Sequence, residues 1–169
     1  RLETMSFRLL DIMVTRRSEV DFTVVSVESL FVYLYDMNVL NKSAKIYFNY
    51  DEGFVWAEAN LIKSVLMNLL DNACKASEAD EVYGRIQKGG YRFEVKDHGV
   101  GIPKEEQHKI TKAFYMVDKS RSRSRNGAGL GLALCAEILL LHKSRLEIES
   151  EPGKGTCMSF VLPTRPEEG

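Results

Sequence analysis

The chain has 169 residues, 44% of them hydrophobic and 28% charged, with a formal net charge of −1. That length and composition suit one globular domain with a real core, and the near-neutral balance gives a nucleic-acid partner no electrostatic support. No apolar run approaches the roughly 20 residues that cross a bilayer.

The chain opens on Arg1 rather than Met and is expected to be a piece of a longer protein. Residues 2–14 place Leu2, Met5, Leu9 and Ile12 or Met13 on one helical face, as at the end of a longer helix. Glu19–Val25 reads as a strand. Ser26–Asn41 reads as a helix with Leu30, Phe31, Leu34 and Met37 or Tyr35 inward. Lys45–Asn49 and Val55–Ala57 are strands around the turn Asp51-Glu52-Gly53. Asn60–Ser77 is a long helix with Leu61, Val65, Leu69 and Ala73 as its apolar stripe. Tyr83–Gln87 and Tyr91–Asp97 form a hairpin about Lys88-Gly89-Gly90. Pro103 suits the first turn of a short helix. Residues 112–127 lose periodicity and read as a mobile loop. Leu130–Leu141 is apolar nearly all round and is expected to be deeply buried. Strands Leu146–Ser150 and Thr156–Leu162 close the fold, and Pro163–Gly169 reads as a frayed tail. Strands and helices mix without strict alternation. The expected class is therefore α+β, a two-layer sandwich with a mixed, mostly antiparallel sheet and helices on one face.

Three polar clusters carry the chemistry. Asn68, Asn72 and Lys75 stand at i, i+4 and i+7 on the long helix, opposite its apolar stripe. Two carboxamide oxygens can ligate a hard cation, and magnesium, which keeps most of its waters and bridges to phosphate, needs few protein ligands. Lys75 would add a point charge for phosphate. The plainer alternative is a solvated face with a Lys75–Asp71 pair. Asp97 ends a strand before Gly99 and Gly101. Its acceptor-only side chain can take the exocyclic amino group of adenine, which guanine lacks at that position, and the glycines let a base lie near the backbone; the alternative is a plain turn. Gly127, Gly129 and Gly131 open the apolar helix after a segment (118–125) of four basic residues and one acidic. Close backbone approach, free N–H groups and a positive helix end describe a phosphate clamp under a cationic lid. An Arg-Ser RNA-binding tract is the competing reading of 118–125, but no aromatic platform accompanies it. The spacing GxGxG after a polar loop lacks the strand that a dinucleotide fingerprint requires, and no GK[ST] phosphate loop is present. Cys74, Cys135 and Cys157 have no metal-ligand spacing and read as small buried hydrophobes in a reducing cytosol. His98, His108 and His142 lack partners at helical spacing and read as structural or exposed.

The order of these pieces resembles the catalytic, ATP-binding domain of bacterial sensor histidine kinases, in the Bergerat-fold superfamily with DNA gyrase, Hsp90 and MutL. The likeness runs from about Val20 to Leu162. Asn68–Lys75 is similar to the family's asparagine box, Asp97–Gly101 to its first glycine box, Ile110–Tyr115 to its phenylalanine box, Gly127–Leu132 to its second glycine box, and Gly153–Thr156 to its last. The resemblance implies ATP and Mg2+ as cofactors. It implies that Asn72 with Asn68 holds the metal and that Lys75 reaches phosphate, these three forming the catalytic set. Asp97 would bind the adenine amine with Thr156 helping through water, beside Gly99, Gly101 and Ile102. Gly127, Ala128, Gly129, Leu130, Gly131 and Leu132 would line the phosphates and the adenosine edge, with Lys119, Arg121 and Arg123 in the lid. Residues 1–17 would be the end of the dimerisation and phosphoacceptor helix or a linker, 18–163 the catalytic domain and 164–169 a tail.

The resemblance further implies transfer of the γ-phosphate to a histidine on a separate domain, of the same or a partner subunit, with a response regulator downstream. It implies a cytoplasmic location, free or as part of a membrane-bound sensor, with no membrane contact by this piece and no nucleic acid. ATP-hydrolysing relatives carry a glutamate four residues before the magnesium asparagine; here that place is Asn68, which cannot act as a base. This argues against one alternative, a conformational ATPase of the gyrase or Hsp90 type, which loses its base; the other, a nucleotide-free scaffold, is opposed by the intact Asn72, Asp97 and Gly127–Gly131 set. Departures are Met116 for an arginine, Thr111 for the first phenylalanine and His98 for an asparagine. No histidine of the chain sits in a helical His-Glu or His-Asp acceptor motif.

Overall fold

The computed structural model describes residues 20–41, 45–111 and 130–166. The expectations for residues 1–17, for the loop 112–127 with Lys119, Arg121 and Arg123, and for Gly127, Ala128 and Gly129 lie outside them. Among the described residues the elements run β1 (Thr23–Ser26), α1 (Val27–Asn41), β2 (Lys45–Tyr50), β3 (Phe54–Ala57), α2 (Ala59–Ala76), β4 (Ala79–Gln87), β5 (Gly90–Lys96), α3 (Leu130–Leu141), β6 (Glu147–Glu151) and β7 (Gly155–Leu162).

Five strands form one sheet in the order β2-β4-β5-β7-β6; β2 runs parallel to β4 and every other pair is antiparallel. The parallel pair needs a crossover, and β3 with α2 supplies it. β1 and β3 make a separate two-stranded ribbon, joined to the main sheet where Trp56 N–H donates to Pro163 O at 2.8 Å. The period of two along β4, β5 and β7 buries Val82, Phe93, Val95, Met158 and Phe160 under the helices. Glu81, Tyr83, Arg92, Glu94 and Lys96 take the other face. The α+β sandwich, mostly antiparallel with helices on one face, is therefore the observed fold.

Helix α2 crosses that core. Glu58 caps it by accepting the Leu61 N–H at 2.8 Å. Its buried stripe is wider than the sequence suggests: Ile62, Leu66 and Leu70 join Val65, Leu69 and Ala73, while Leu61 is only half-buried. α3 packs across α2, with the Cys135 thiol against Val65 O. One alternative is settled and two expectations are corrected. Of Met37 and Tyr35 on α1, Tyr35 is 57% exposed and Met37 is the half-buried one. α3 is not buried all round, because Leu140 is 55% exposed and Glu137 lies beside solvent. No helix follows Pro103: residues 104–111 are turns closed by i→i+3 bonds such as Glu106 N–H to Pro103 O at 2.9 Å. Gln107 holds that segment by donating to Ile102 O nearby and to Ser150 O on β6. No helix among the described residues is long and apolar enough to cross a membrane.

Candidate functional site

The sheet register brings the predicted polar residues into one row. Lys96 is paired with Cys157, so the next residue, Asp97, faces Thr156, and Asp97 N–H donates to Thr156 O at 2.9 Å. Thr156 is in turn paired with Ser150 on β6. Asp97 continues the inward face of Val95 and ends half-buried below α2. Its Oδ1 accepts two main-chain N–H groups, from Gly99 at 2.9 Å and Thr156 at 3.2 Å. Among the described residues, Oδ2 has no hydrogen-bond partner. Burial raises the Asp97 pKa above the usual carboxylate value, and the two N–H donors oppose that rise.

The glycines of this region serve the protein's own backbone first. A Cβ on Gly99 would lie 2.6 Å from Ala76 O, at the end of α2. Gly101 has φ +79 and Gly155 φ +103, and side chains there would overlap the carbonyl oxygens of Glu151 and Asp97. The loop after β5 and the β6–β7 turn thus interlock, with Gly153 N–H donating to Val100 O at 2.6 Å. Ile102 packs against the core and donates its N–H to Ser150 Oγ at 2.8 Å.

Ser150 is a residue that motif reading missed. Its hydroxyl lies 3.0 Å from Gly155 O, to which it donates, and 2.8 Å from Thr156 Oγ1. With its one proton spent on Gly155, it must accept from Thr156. The Thr156 hydroxyl therefore turns lone pairs, not a proton, to the pocket.

The asparagine face lies across from this row. Asn68 Nδ2 donates to Ser64 O at 2.9 Å, so Oδ1 is the outward atom. That oxygen would be 3.1 Å from a Cβ on Gly131, so a glycine at the start of α3 lets helix and carboxamide meet. Asn72 is half-buried one turn further along α2. Lys75 forms an ion pair with Asp71 at 2.9 Å, the pairing that the plainer reading expected. Leu132 packs on the core behind Gly131. No group of three or more His, Cys, Asp or Glu able to hold a metal exists among the described residues. A hard cation here would have to use carboxamide and phosphate oxygens, and Asn68 Oδ1 fits that demand.

The side chains of His98 and His142 lie outside the polar row. His98 turns to the open face of the sheet and bonds Glu81, which also takes the Tyr83 hydroxyl; these two bonds hold the Glu81 carboxyl below its usual range. His142 is buried, stacked on Phe22, and bonded to backbone through both ring nitrogens. Burial pushes the thiols of Cys74, Cys135 and Cys157 up to about 12, so they are unreactive at neutral pH. A cleft of about 550 Å³ opens at the far end of the sheet between Trp56, His142, Arg145 and Leu162. It is remote from the polar row and plays no part in the site.

Residues 57–166 match the family described as "Histidine kinase-, DNA gyrase B-, and HSP90-like ATPase". The chain belongs to this family. Over 120 residues it is 38% identical to the adaptive-response sensory kinase SasA of Thermosynechococcus vestitus, covering 67% of this chain but 30% of SasA. The catalytic domain of histidine kinase ThkA superposes with a TM-score of 0.71 at 25% identity, covering 85% of this chain and 96% of that one. Full-length ShkA, solved with AMPPNP, shares the fold at TM-score 0.71 and 24% identity, covering 95% of this chain and 36% of that one. The domain is thus of the kind that sensor histidine kinases carry, and it spans less than a third of SasA.

Proposed function

We propose that this domain binds Mg-ATP and presents the γ-phosphate to a histidine on a separate phosphoacceptor domain, of the same or a partner subunit, in a two-component pathway with a response regulator downstream. The observation that carries the reading is Asp97: one oxygen is fixed by two main-chain donors while the other remains for a ligand amine. Its companions support it. Thr156 offers an acceptor beside it, Ile102 closes one wall, and Asn68 meets Gly131 on the side where phosphates would lie.

In this mechanism Asp97 orients the base, and Gly131 and Leu132 line the nucleotide. Asn72 and Asn68 hold the metal, which when bound would neutralise phosphate charge. Lys75 reaches phosphate by leaving Asp71, a half-exposed partner that holds it weakly. Lys119, Arg121, Arg123, Gly127, Ala128, Gly129 and Leu130 complete the phosphate side in this proposal, and Gly99 and Gly101 keep the base loop in place. Catalysis is then positioning and electrostatics, with no general base. Asn68 sits where hydrolytic relatives have glutamate, and a carboxamide cannot take a proton from water. An imidazole acceptor brings its own lone pair. The same residue disfavours a conformational ATPase of the gyrase or Hsp90 type. The location that goes with this role is cytoplasmic.

Titration with fluorescent ADP or ATP and Mg2+ tests the reading. Asp97→Asn keeps an oxygen for the two N–H donors but offers the base an amide, and should weaken binding by at least about 30-fold, the cost of opposing a donor with a donor in a buried site. Because the raised carboxyl pKa means that the charged form is a burden above that pKa, the variant should melt no lower than wild type at pH 7. Equal nucleotide affinity in wild type and variant refutes the assignment.

A further inference from the structure

The row of the sheet that holds Asp97 and Thr156 has one more member. Glu81 is paired with Lys96, so the register extended by one place sets Asp80 opposite Asp97 on the same inward face. Asp80 is 2% exposed. Its Oδ1 accepts the Ser77 hydroxyl at 2.6 Å, and Ser77 Oγ in turn accepts His98 N–H at 3.1 Å, which ties this carboxylate to the loop that carries Asp97. Its Oδ2 is the one buried side-chain N or O atom among the described residues with no hydrogen-bond partner. The Cys74 thiol lies against the carboxylate but is a weak donor that does not replace an N–H or O–H.

A buried carboxylate oxygen without a donor is costly, and native folds retain such an atom where a water or ligand completes it. The atoms facing the pocket beside it are acceptors too: Asp97 Oδ2 and the lone pairs of Thr156 Oγ1. No side-chain donor in this row turns the same way, since the Ser77 and Ser150 hydroxyl protons are spent on Asp80 and Gly155. A floor made only of acceptors is complementary to a ligand edge rich in N–H.

Resting on the nucleotide-binding reading above, we propose that Asp80 is a second specificity-determining carboxylate of the base pocket. With Asp97 it selects a purine that carries an exocyclic amine at C6 and rejects a 6-oxo purine. Asp97 takes one amine hydrogen directly; Asp80, deeper in the fold, takes the other through one water, which its unpaired oxygen holds. A 6-oxo base would turn a carbonyl oxygen toward two carboxylates.

The test compares ADP with IDP, which differ at C6, amine against carbonyl, and in the proton that the 6-oxo base carries on N1, by calorimetric titration of wild type, Asp80→Asn and Asp97→Asn. Asp80→Asn can keep the Ser77 bond and exchanges the free oxygen for a donor. It should lower the ADP-to-IDP preference at least about fivefold, with far-UV circular dichroism unchanged. A preference unchanged in Asp80→Asn but lost in Asp97→Asn overturns the proposal and leaves the binding reading standing. ADP affinity unchanged in Asp97→Asn overturns the binding reading itself. Wild type alone gives a second readout that no folding defect can obscure. N6-methyl-ADP retains one amine hydrogen and should bind at least about fivefold more weakly than ADP; equal affinity overturns the role of Asp80.

Discussion

The two ends of the β5–β7 ladder bury polar groups in opposite ways. At the Tyr91–Leu162 end Tyr91, Ser144 and His142 all find main chain. Tyr91 donates its hydroxyl to Asp51 O at 2.6 Å, and Ser144 donates to Val161 O at 2.6 Å. His142 donates from Nδ1 to Ile138 O at 2.7 Å and accepts Glu58 N–H on Nε2 at 3.1 Å. At the Asp97–Thr156 end the main chain fixes one oxygen of Asp97 and stops, and Asp80 keeps an oxygen unpaired. The closed end is structural. The open end has its geometry set by the backbone and acceptors without partners, which in the proposed function is how a binding site is preorganised. A cleft alone points away from the proposed site, since a 550 Å³ cavity lies beside His142.

The largest expected effect comes from unlocking the open end. Gly155 combines a φ of +103 with a position where a Cβ would overlap Asp97 O. Gly155→Ala should cost more than about 3 kcal/mol in urea unfolding, since backbone strain and a clash with unyielding main chain add. It should also abolish nucleotide binding, because the Thr156 N–H that fixes Asp97 must move. Gly153→Ala is the control: it shares a positive φ but nothing lies within 4 Å of its Cβ, so it should carry the strain cost alone and retain binding. Equal behaviour of the two variants would mean that interlocking of the two loops is not what builds the pocket.

The asparagine face is less fixed by main chain, and its effect should be smaller and conditional on the metal. Asn72→Ala removes one carboxamide from a half-buried position of α2 and should leave stability within about 0.5 kcal/mol. In magnesium it should weaken ATP binding by roughly tenfold or more, as expected for loss of a metal-site group. In EDTA the affinities of wild type and variant should coincide. A deficit that persists in EDTA would place Asn72 in direct contact with nucleotide and outside the metal shell.

Motif order makes the candidate site legible where the proposed chemistry is carried by unusual residues at fixed spacing, as with Asn68, Asn72, Asp97 and the glycines. The element types were legible for the same reason that they form: α2 and β5 are strongly periodic. What escaped has physical causes. The start of β4 was placed at Tyr83 because Ser77–Glu81 is polar, and with that boundary Asp80 had no inward face to occupy; the observed strand from Ala79 gives it one. Ser150 and Gln107 act through bonds spanning 48 and 43 residues, to Ile102 and from Gln107 to Ser150 O, and no local pattern encodes such pairs. Sequence alone does not show that a Cβ on Gly99 or Gly101 would meet Ala76 O or Glu151 O, because both neighbours come from other parts of the fold. The residue types were visible in sequence, but the partners depended on strand register.

The smallest effect probes the closed end and needs its sign worked out. Burial lowers the His142 pKa below 6.5, so the folded state resists protonation that the unfolded chain accepts. Between its folded pKa and about 6.5 the unfolded state binds more protons, and stability falls as pH falls through that window, by at most about 1.4 kcal/mol per pH unit for one proton. Asp97 acts oppositely. Its raised pKa means that acid relieves the cost of its buried charge, so its contribution rises as pH falls. Urea unfolding of wild type and His142→Asn from pH 7.5 to 5.5 separates the two. The variant loses the Phe22 stack and should be weaker at pH 7.5, but its stability should fall less steeply with acid than that of wild type. Parallel slopes would show that His142 charges freely within the folded state, and the far end would then be no more closed than the pocket.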